Sequence, residues 1–344
     1  MNILVTGATG FVGRRLVRNL AAEYGADALT CLCPPIENDL ERSGRANLTN
    51  IGVDRQVQTD VRTWNPGQSD FDTVFHLAAS TDSGEPDHSV NDIGTKNLIH
   101  ALGHTLKGKR FIFVSTTAAI DRLGPAHTPL DETTPCHPKT EYGKSKIRAE
   151  AIVKELSPAY GYDWTILRYA TVYGFGTREK GLFDYFSNWV RNGNFLGRLY
   201  FPGKTGLVHV DDAVKITHTL SQDPRAAGET VCVVTESPRT GEIARAMSEA
   251  LGQKVPRIHF PEFFWQLTRF GLRFPRLFDF TPQPFHNHLW RLSLISDHGL
   301  WVSGQKLRSL YDEPMIELEQ GIRDVMGLET IQLPEISTEP VLAD

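Results

Sequence analysis

Short apolar runs alternate with helical patterns through the first two thirds of the chain. Between the first two apolar runs, Val12, Leu16 and Leu20 recur at helical spacing, so this segment predicts a helix with one apolar face. Strands that alternate with helices predict βαβ units and a parallel sheet, which places the fold in the α/β class. The predicted strands are Ile3 to Val5, Ala28 to Leu32, Arg55 to Gln58, Thr73 to Leu77, Phe111 to Ser115, Trp164 to Leu167 and Val231 to Val234.

The sheet pattern weakens after about residue 173, where aromatic residues crowd a segment that is also rich in glycine. A second irregular block, residues 255–302, is dense in Phe, Trp, Pro, Arg and His. These two blocks predict a smaller domain built mostly from the C-terminal part, followed by an end segment that contains proline and glutamate. We expect a larger domain over residues 1–172, to which 208–234 return, a smaller domain over 173–207 and 235–330, and a loose tail over 331–344.

Composition and charge narrow the range of partners. The chain has 344 residues, of which 40% are hydrophobic, enough to bury a sizeable core. Its formal net charge of -5 comes with scattered signs, so we expect no nucleic-acid partner. The first residues lack the pattern of a signal peptide, and no apolar run approaches the roughly 20 residues of a membrane span. These features predict a cytoplasmic protein without a membrane span.

Four cysteines, at positions 31, 33, 136 and 232, show neither metal-ligand spacing nor a dense disulfide framework. We expect them to be reduced thiols in or near the core. His209, Asp211 and Asp212 are of metal-ligand types, but no other ligand converges with them in sequence. We therefore favour helix capping by an aspartate there and predict no metal site.

Three glycines follow the first predicted strand and open the first predicted helix. In the segment NILVTGATGFVG they are Gly7, Gly10 and Gly13. Glycines in such a turn allow a tight bend, a close backbone approach to a pyrophosphate and close helix packing, and a helix N-terminus favours an anion. The turn therefore predicts that the larger domain binds a dinucleotide.

The segment TEYGKSK places Tyr142 four residues before Lys146, so the two side chains share one face of a helix while Lys144 points elsewhere. A phenol titrates near pH ~10, and a nearby ammonium favours the phenolate. The pair would let Tyr142 exchange a proton near neutral pH. The alternative is a charged surface helix without a chemical role.

The glycine turn TGATGFVG and the segment YGKSK together resemble the extended short-chain dehydrogenase/reductase family, of the NAD-dependent epimerase/dehydratase type. Similar segments extend across about residues 1–325. The resemblance implies a Rossmann-type doubly wound parallel sheet, a smaller substrate domain and a homodimer. The further segments are TD at 59–60, HLAA at 76–79, NDIGTKNL at 91–98, VSTTAAI at 114–120, LRYATVYG and VHVDDAV.

The resemblance also implies catalytic roles. Thr117 would hydrogen-bond the substrate oxygen, with Ser115 as its nearest rival and a capping hydroxyl as the alternative. Tyr142 would give or take the proton during hydride transfer, and Lys146 would hold the nicotinamide ribose and lower the pKa of the tyrosine. Asn91 resembles the family's helix asparagine but could equally cap a helix.

The cofactor is expected to be NADP or NAD. Cys33-Pro34-Pro35 occupies the end of the second strand, where an acidic residue would bind the ribose 2′-hydroxyl of NAD. The missing acid favours NADP, whose 2′-phosphate Arg42 or Arg45 could meet. The expected cofactor contacts are Gly7, Thr9, Gly10, Phe11, Val12, Gly13, Arg42, Asp60, Val61, Leu77, Ala78, Ala79, Tyr142, Lys146, Tyr169 and Val172.

Two departures from the sugar-nucleotide pattern indicate a different substrate. Thr171 stands where those enzymes commonly have an asparagine, and residues 204–207, KTGL, replace an RDF-like run. Phe183, Phe186 and Trp189 recur at spacings of three and could form either core or a pocket wall.

The block PEFFWQLTRFGLRFPRLF, which includes Arg269, Arg273 and Arg276, is similar to an amphipathic helix that touches a membrane in sterol-dehydrogenase relatives, although a packed helix with a solvated arginine edge is the alternative. We therefore expect an NAD(P)-dependent oxidoreductase that interconverts a hydroxyl and a carbonyl on a largely apolar small molecule. The alternatives are a sugar-nucleotide epimerase or dehydratase that recycles NAD and a non-catalytic dinucleotide sensor.

Overall fold

A central sheet of seven parallel strands organises the chain. The computed structural model describes residues 1–67, 69–81, 87–120, 128–138, 140–177, 181–253, 255, 258–272, 292, 295–296, 300–329 and 331. Except for residue 331, the predicted tail lies outside the described residues. In chain order the strands are β1 (Ile3–Thr6), β2 (Leu29–Cys33), β3 (Gln56–Gln58), β4 (Thr73–His76), β5 (Arg110–Thr116), β6 (Asp163–Tyr169) and, after two short strands, β9 (Glu229–Val233).

The strand order across the sheet is β3-β2-β1-β4-β5-β6-β9. The chain moves outward from β1 to β3 and then returns to the other side of β1, where β4 pairs with it in parallel. The order of the strands therefore reverses between β1 and β4, and in open α/β sheets ligands bind at the carboxyl ends of the strands at such a reversal. The prediction of an α/β fold with a Rossmann-type parallel sheet is confirmed, and all seven predicted strands belong to this sheet.

Helices cover both faces of the sheet. Strand β1 shows why its sequence is uniformly apolar: Ile3 and Val5 face one core layer and Leu4 faces the other. The helices that flank the sheet are α1 (Gly13–Tyr24), α2 (Asp39–Asn50), α3 (Ser89–Leu102), α4 (Glu141–Tyr160) and α6 (Val210–Gln222).

A third apolar cluster lies beyond the carboxyl end of β6. There β7 (Thr171–Tyr173) pairs in parallel with β8 (Leu207–His209), a two-stranded sheet that the sequence pattern did not predict because each strand has only three residues. This cluster gathers residues of 173–207, 243–265 and 318–326. Its helices are α5 (Leu182–Arg191), α7 (Thr240–Ala250), α8 (Glu262–Leu272) and α10 (Leu318–Val325), and α9 (Gln305–Leu310) packs beside β9.

The cluster decides between the two interpretations of the aromatic helix face. Phe183 and Phe186 are only 2% and 1% exposed and belong to its interior, and Trp189 packs against them. This face is therefore core. A separate apolar cluster supports the proposed smaller domain, although the domain boundaries stay a prediction.

The cysteines are free thiols, with Cys31, Cys33 and Cys232 buried and Cys136 half-buried. Burial raises the pKa of Cys31 and Cys232 well above the ordinary value, so both remain protonated. No helix among the described residues is long and apolar enough to cross a membrane.

Candidate active site

The glycine turn joins β1 to α1 at the carboxyl edge of the sheet. It closes through the Gly10 amide, which donates to the Gly7 carbonyl at 3.1 Å, and through the Arg14 amide, which donates to the Gly10 carbonyl at 3.0 Å. Gly7 has a φ of +68°, and a Cβ there would lie 2.7 Å from the Ala78 amide nitrogen. A Cβ on Gly13 would lie 2.0 Å from the Gly7 carbonyl oxygen. Both positions therefore require glycine for folding.

Gly10 is less crowded by the protein than the other two glycines. A Cβ at this position would meet only the Gly7 carbonyl oxygen within 4 Å, at 3.2 Å. A small backbone shift would relieve that contact, whereas a ligand that approaches the backbone would exclude a side chain there. With Phe11 and Val12 at the start of α1, where the helix dipole favours an anion, the turn fits the pyrophosphate of a dinucleotide.

A buried histidine fixes the loop after β4 against this turn. His76 contacts the Thr6 hydroxyl through Nδ1 at 2.7 Å and the Thr95 hydroxyl through Nε2 at 2.8 Å. The Ala78 amide donates to the Thr6 hydroxyl at 3.1 Å, which positions Leu77, Ala78 and Ala79 beside β1. Burial, with the nearby Lys146 charge, lowers the pKa of His76 to about 3. His76 is therefore a neutral structural residue.

Helix α2 approaches the glycine turn at a residue that the sequence interpretation missed. A Cβ on Gly44 would lie 2.7 Å from both the carbonyl oxygen and the Cβ of Thr9. A glycine inside a helical pattern was the available signal of this close approach. Arg42 is exposed and pairs with Asp39 at 2.5 Å, and Arg45 donates to Gln58 at 3.0 Å. Neither arginine forms a prepared phosphate site.

Helix α4 carries the Tyr142 and Lys146 pair to the carboxyl end of β5. It begins after Thr140, whose hydroxyl accepts from the Gly143 amide at 3.0 Å. A Cβ on Gly143 would lie 2.8 Å from the Ala118 carbonyl oxygen, so this glycine lets the helix pack against the turn 117–120. Tyr142 is half-buried, and its ring centre lies 6.0 Å from that of His88.

Lys146 is buried beneath the first turn of α4, only 1% exposed. Its Nζ donates to the Val114 carbonyl at 2.8 Å and lies 4.7 Å above the centre of the Phe113 ring. Burial lowers the pKa of this amine to about 7, and the Glu150 carboxylate opposes that effect. Lys144 instead lies on the exposed side, where it pairs with Glu141 at 2.8 Å. The two lysines therefore have different environments.

Of the two hydroxyls considered at the end of β5, Ser115 already has a partner in the core. Its Oγ donates to Glu150 at 2.5 Å, and Glu150 also forms a buried bidentate pair with Arg168 at 2.7 and 3.0 Å. Thr117 is buried at the start of the turn that contacts α4. This arrangement favours Thr117 over Ser115, although its catalytic role stays a prediction.

Asn91 lies inside α3, and His88 occupies the cap position. The side-chain oxygen of Asn91 accepts from the Ser80 amide at 2.8 Å. Its side-chain nitrogen donates to the Ser80 carbonyl at 3.0 Å and to the Ser145 hydroxyl at 2.9 Å. Ser145 in turn donates to the Tyr142 carbonyl at 2.8 Å. The amide thus ties the loop after β4 to the first turn of α4, which is a positioning role. Its predicted catalytic role stays a prediction.

The other residues that were expected to contact the cofactor differ in the bonds and contacts that they already make within the protein. Asp60 is held by Arg62, whose hydrogen bonds lower the pKa of that carboxyl, and Val61 packs against α3 at Gly94. The Tyr169 hydroxyl contacts Thr217 and donates to the Ala213 carbonyl of α6, so this side chain is committed to the core. Val172 lies in the short strand β7.

The segment VHVDDAV forms a helix start in which the histidine is the cap. The His209 Nδ1 accepts from the Asp211 amide at 3.3 Å, so the prediction that an aspartate caps α6 is wrong. The sequence suggested the aspartates because they are the commoner caps, but both lie in the first helical turn. Nε2 of His209 contacts Asp324 of α10 at 3.2 Å. The described residues contain no group of His, Cys, Asp and Glu side chains arranged to hold a metal ion.

Comparison with known families gives a match over most of the chain. The family model described as "NAD dependent epimerase/dehydratase family" matches residues 3–234. A putative UDP-glucose 4-epimerase of Methanocaldococcus jannaschii is 30% identical over 190 residues, which cover 52% of this chain and 58% of the relative. The N-acetyl-alpha-D-glucosaminyl-diphospho-ditrans,octacis-undecaprenol 4-epimerase of Escherichia coli O157:H7 is 27% identical over 269 residues, 76% of this chain and 75% of the relative.

Solved structures confirm the fold along nearly the whole length. The UDP-glucose 4-epimerase of Thermus thermophilus, solved in complex with NAD, is 24% identical with a TM-score of 0.68, covering 95% of this chain and 98% of the other. The UDP-glucuronic acid 4-epimerase of Bacillus cereus, solved with UDP-glucuronic acid and NAD, is 19% identical with a TM-score of 0.69 and the same coverage.

These relatives correct the prediction of an oxidoreductase that acts on a largely apolar small molecule, which is wrong. The named relatives are sugar-nucleotide or sugar-diphosphate epimerases, and the expected similarity to sterol or alcohol dehydrogenases is not supported. The physical reason is that Phe183 and Phe186, interpreted as a possible pocket wall, fill the interior of the smaller cluster. The preference for NADP also lacks support, because the two solved structures contain NAD.

Proposed function

We propose that this chain, which belongs to the NAD-dependent epimerase/dehydratase family, is an NAD-dependent epimerase of a sugar carried on a diphosphate. The observation that carries the proposal is the placement of two features at one edge of the sheet. The glycine turn follows β1, and the Lys146 contact with Val114 lies at the end of β5, one strand away across β4. This arrangement supports a dinucleotide site beside a proton-transfer pair.

NAD fits the site better than NADP. Gly10 leaves room for a pyrophosphate beside the turn. The Thr6 hydroxyl accepts a hydrogen bond from the Ala78 amide, and Gly44 lets α2 approach Thr9 closely. In the first turn of α2, Arg42 is exposed and paired with Asp39, so a 2′-phosphate would have to compete with that carboxylate. When bound, NAD supplies a hydride acceptor that can later return the hydride. Glycines 7, 10 and 13 would hold its pyrophosphate, and Lys146 its nicotinamide ribose.

The chain's own residues supply the proton chemistry. Tyr142 takes the proton of a sugar hydroxyl as that carbon is oxidised to a ketone and returns it when the ketone is reduced from the opposite face. Lys146 lies one helical turn from Tyr142, and its charge favours the phenolate. Thr117 donates a hydrogen bond to the same sugar oxygen. Asn91, through Ser145, holds the first turn of α4 in place for this reaction.

The segment after the catalytic hydroxyl favours epimerisation over dehydration. Elimination of water needs a further acid and base, one for the departing hydroxyl and one for a carbon-bound proton. The three residues directly after Thr117 are Ala118, Ala119 and Ile120, whose side chains can do neither. An epimerase requires only the reversible oxidation.

A turnover assay with one sugar on two carriers tests the proposal. Purified protein is incubated with N-acetylglucosamine carried on uridine diphosphate or on undecaprenyl diphosphate, and the products are followed by NMR and mass spectrometry. We expect the 4-epimer with no net change in nicotinamide absorbance. Stoichiometric accumulation of NADH, a product that has lost water, or the absence of turnover on both carriers would contradict the proposal.

A further inference from the structure

Helix α8 presents a row of large apolar side chains to solvent. Phe263, Leu267 and Phe270 recur at the spacing of one helical face and are 71%, 68% and 58% exposed. We call these three residues the apolar face of α8. Single exposed apolar residues are ordinary, but a contiguous apolar patch of this kind marks a surface that meets a partner or a membrane.

The opposite side of the same helix anchors it to the protein. Trp265 is 5% exposed and lies within the third apolar cluster, with ring centres 6.0 Å from Phe201 and 6.1 Å from Phe260. Just before the helix, the Ile258 amide donates to the Arg198 carbonyl at 3.1 Å, and the Tyr200 amide donates to the Ile258 carbonyl at 3.0 Å. The helix is therefore fixed on its inner side, and its outer face is exposed to solvent.

The fold places this helix in the part of the protein that stands beyond the carboxyl ends of the strands. Phe201, which packs on Trp265, lies in the segment leading into β8. Strand β8 pairs with β7, which follows β6 after a single residue, Ala170. The proposed dinucleotide and proton-transfer sites lie at the same carboxyl edge. Helix α8 thus packs on the cluster that the chain builds beyond this edge.

Two observations indicate what covers the apolar face. The E. coli relative, which aligns with 76% of this chain, is named for a substrate whose sugar is carried through a diphosphate on undecaprenol. A carrier of that length resides in a lipid bilayer, so an enzyme acting on its sugar must reach the bilayer surface. In addition, the sequence from 262 to 291 has four arginines, at 269, 273, 276 and 291, and two acidic residues, at 262 and 279, although the whole chain has a net charge of -5. A locally basic segment favours an anionic lipid surface.

We propose that the apolar face of α8 lies on an anionic bilayer and that the substrate is a sugar carried by a polyprenyl diphosphate in that bilayer. This inference rests on the proposed epimerase function and names its substrate class. Aromatic and leucine side chains on one face of a short helix are typical of helices that lie in the membrane interface. The reacting group remains the sugar, and the polyprenyl chain remains in the lipid.

The first test is binding to vesicles. The full chain is floated with vesicles of phosphatidylethanolamine and phosphatidylglycerol in equal parts, beside the triple variant Phe263→Ser, Leu267→Ser, Phe270→Ser. The control is Leu40→Ser on α2, which removes a side chain that is 73% exposed. We expect the partition coefficient of the triple variant onto the vesicles to be about tenfold or more below that of the wild type, and that of the control to be unchanged. Because Trp265 is unchanged, equal thermal midpoints would show that the triple variant is folded.

The second test separates this inference from the proposed function. On N-acetylglucosaminyl-diphospho-undecaprenol in the same vesicles, the triple variant should lose about tenfold or more of its epimerisation rate. Epimerisation of the nucleotide-linked sugar alone, with equal vesicle binding by wild type and triple variant, would overturn the inference and leave the epimerase function standing. A change in oligomeric mass in the triple variant, with vesicle binding unchanged, would also overturn it by assigning the face to contacts between copies. Absence of turnover on both carriers would instead contradict the epimerase function.

Discussion

Replacement of Lys146 by methionine should weaken catalysis and stabilise the fold. The Nζ is buried against the Val114 carbonyl, and its pKa is lowered from 10.5 to about 7. At about 1.4 kcal/mol for each pH unit, that difference corresponds to roughly 5 kcal/mol against the buried ammonium at low pH and to roughly 4 kcal/mol at pH 7, where half of the folded molecules carry the neutral amine. Loss of the hydrogen bond to Val114 costs about 1 kcal/mol in return. We therefore expect Lys146→Met to be more stable at pH 7 by roughly 3 kcal/mol.

The pH dependence gives this prediction a definite sign. Between the two pKa values the unfolded chain binds more protons than the folded chain, so the free energy of unfolding rises with pH. The Lys146 contribution should rise by roughly 3 to 4 kcal/mol from about pH 7 to about pH 10 and should be flat below pH 7. Other groups also titrate in this range, including buried Cys31. The difference between wild type and variant isolates the lysine.

Urea denaturation at several pH values, with Lys144→Met as the matched control, measures this difference. Lys144 is exposed, so its removal should leave the pH dependence of the wild type intact. The same Lys146→Met variant should lose about 10²-fold or more in turnover, since its ammonium is assigned to the ribose and to the phenolate. Parallel stability curves for wild type and Lys146→Met between pH 7 and pH 10, or equal losses of activity at positions 144 and 146, would refute the reasoning.

Three further substitutions test the other parts of the site. Tyr142→Phe removes one hydroxyl and should cut turnover by about 10²-fold or more while NAD affinity, measured by calorimetry, stays nearly unchanged; a fully active variant would exclude the acid/base role. Gly10→Val should abolish binding of NAD while the chain still folds, because its Cβ would crowd only the Gly7 carbonyl, at 3.2 Å; unaltered affinity would contradict the turn assignment. Gly44→Ala should weaken NAD binding about tenfold by pushing α2 away from Thr9, whereas Ser43→Ala at the neighbouring exposed position should not.

The sequence by itself determined the large sheet and the two motifs of the site. Apolar runs predicted the inner strands of the sheet, because a strand covered by helices on both faces must be apolar along its length. The edge strand β3, Gln56–Gln58, is more polar and largely exposed. The glycine turn and the spacing of Tyr142 and Lys146 could be recognised in the sequence because each motif lies within a few consecutive residues. A turn needs glycine at fixed positions, and a helix brings residues four apart onto one face.

The tertiary structure decided which polar residues support the site. Nothing in the sequence near Ser145 indicates that it joins Asn91 to α4, since the two residues are 54 positions apart. The buried ion pair of Glu150 and Arg168 likewise joins a helix to a strand, and its Glu150 carboxylate accepts the hydrogen bond of the Ser115 hydroxyl. The cap at His209 became evident only from the hydrogen bond of its ring.

The same limit explains the error about the substrate. The aromatic spacing in α5 is satisfied equally by a helix that lines a pocket and by one packed into a core. Which of these occurs depends on the partners that face the helix, here Phe201 and residues of α7 and α10, which lie far along the chain. Hydrophobic periodicity identifies the side of a helix that avoids water, whereas only the packing of distant segments determines whether protein, ligand or lipid covers that side.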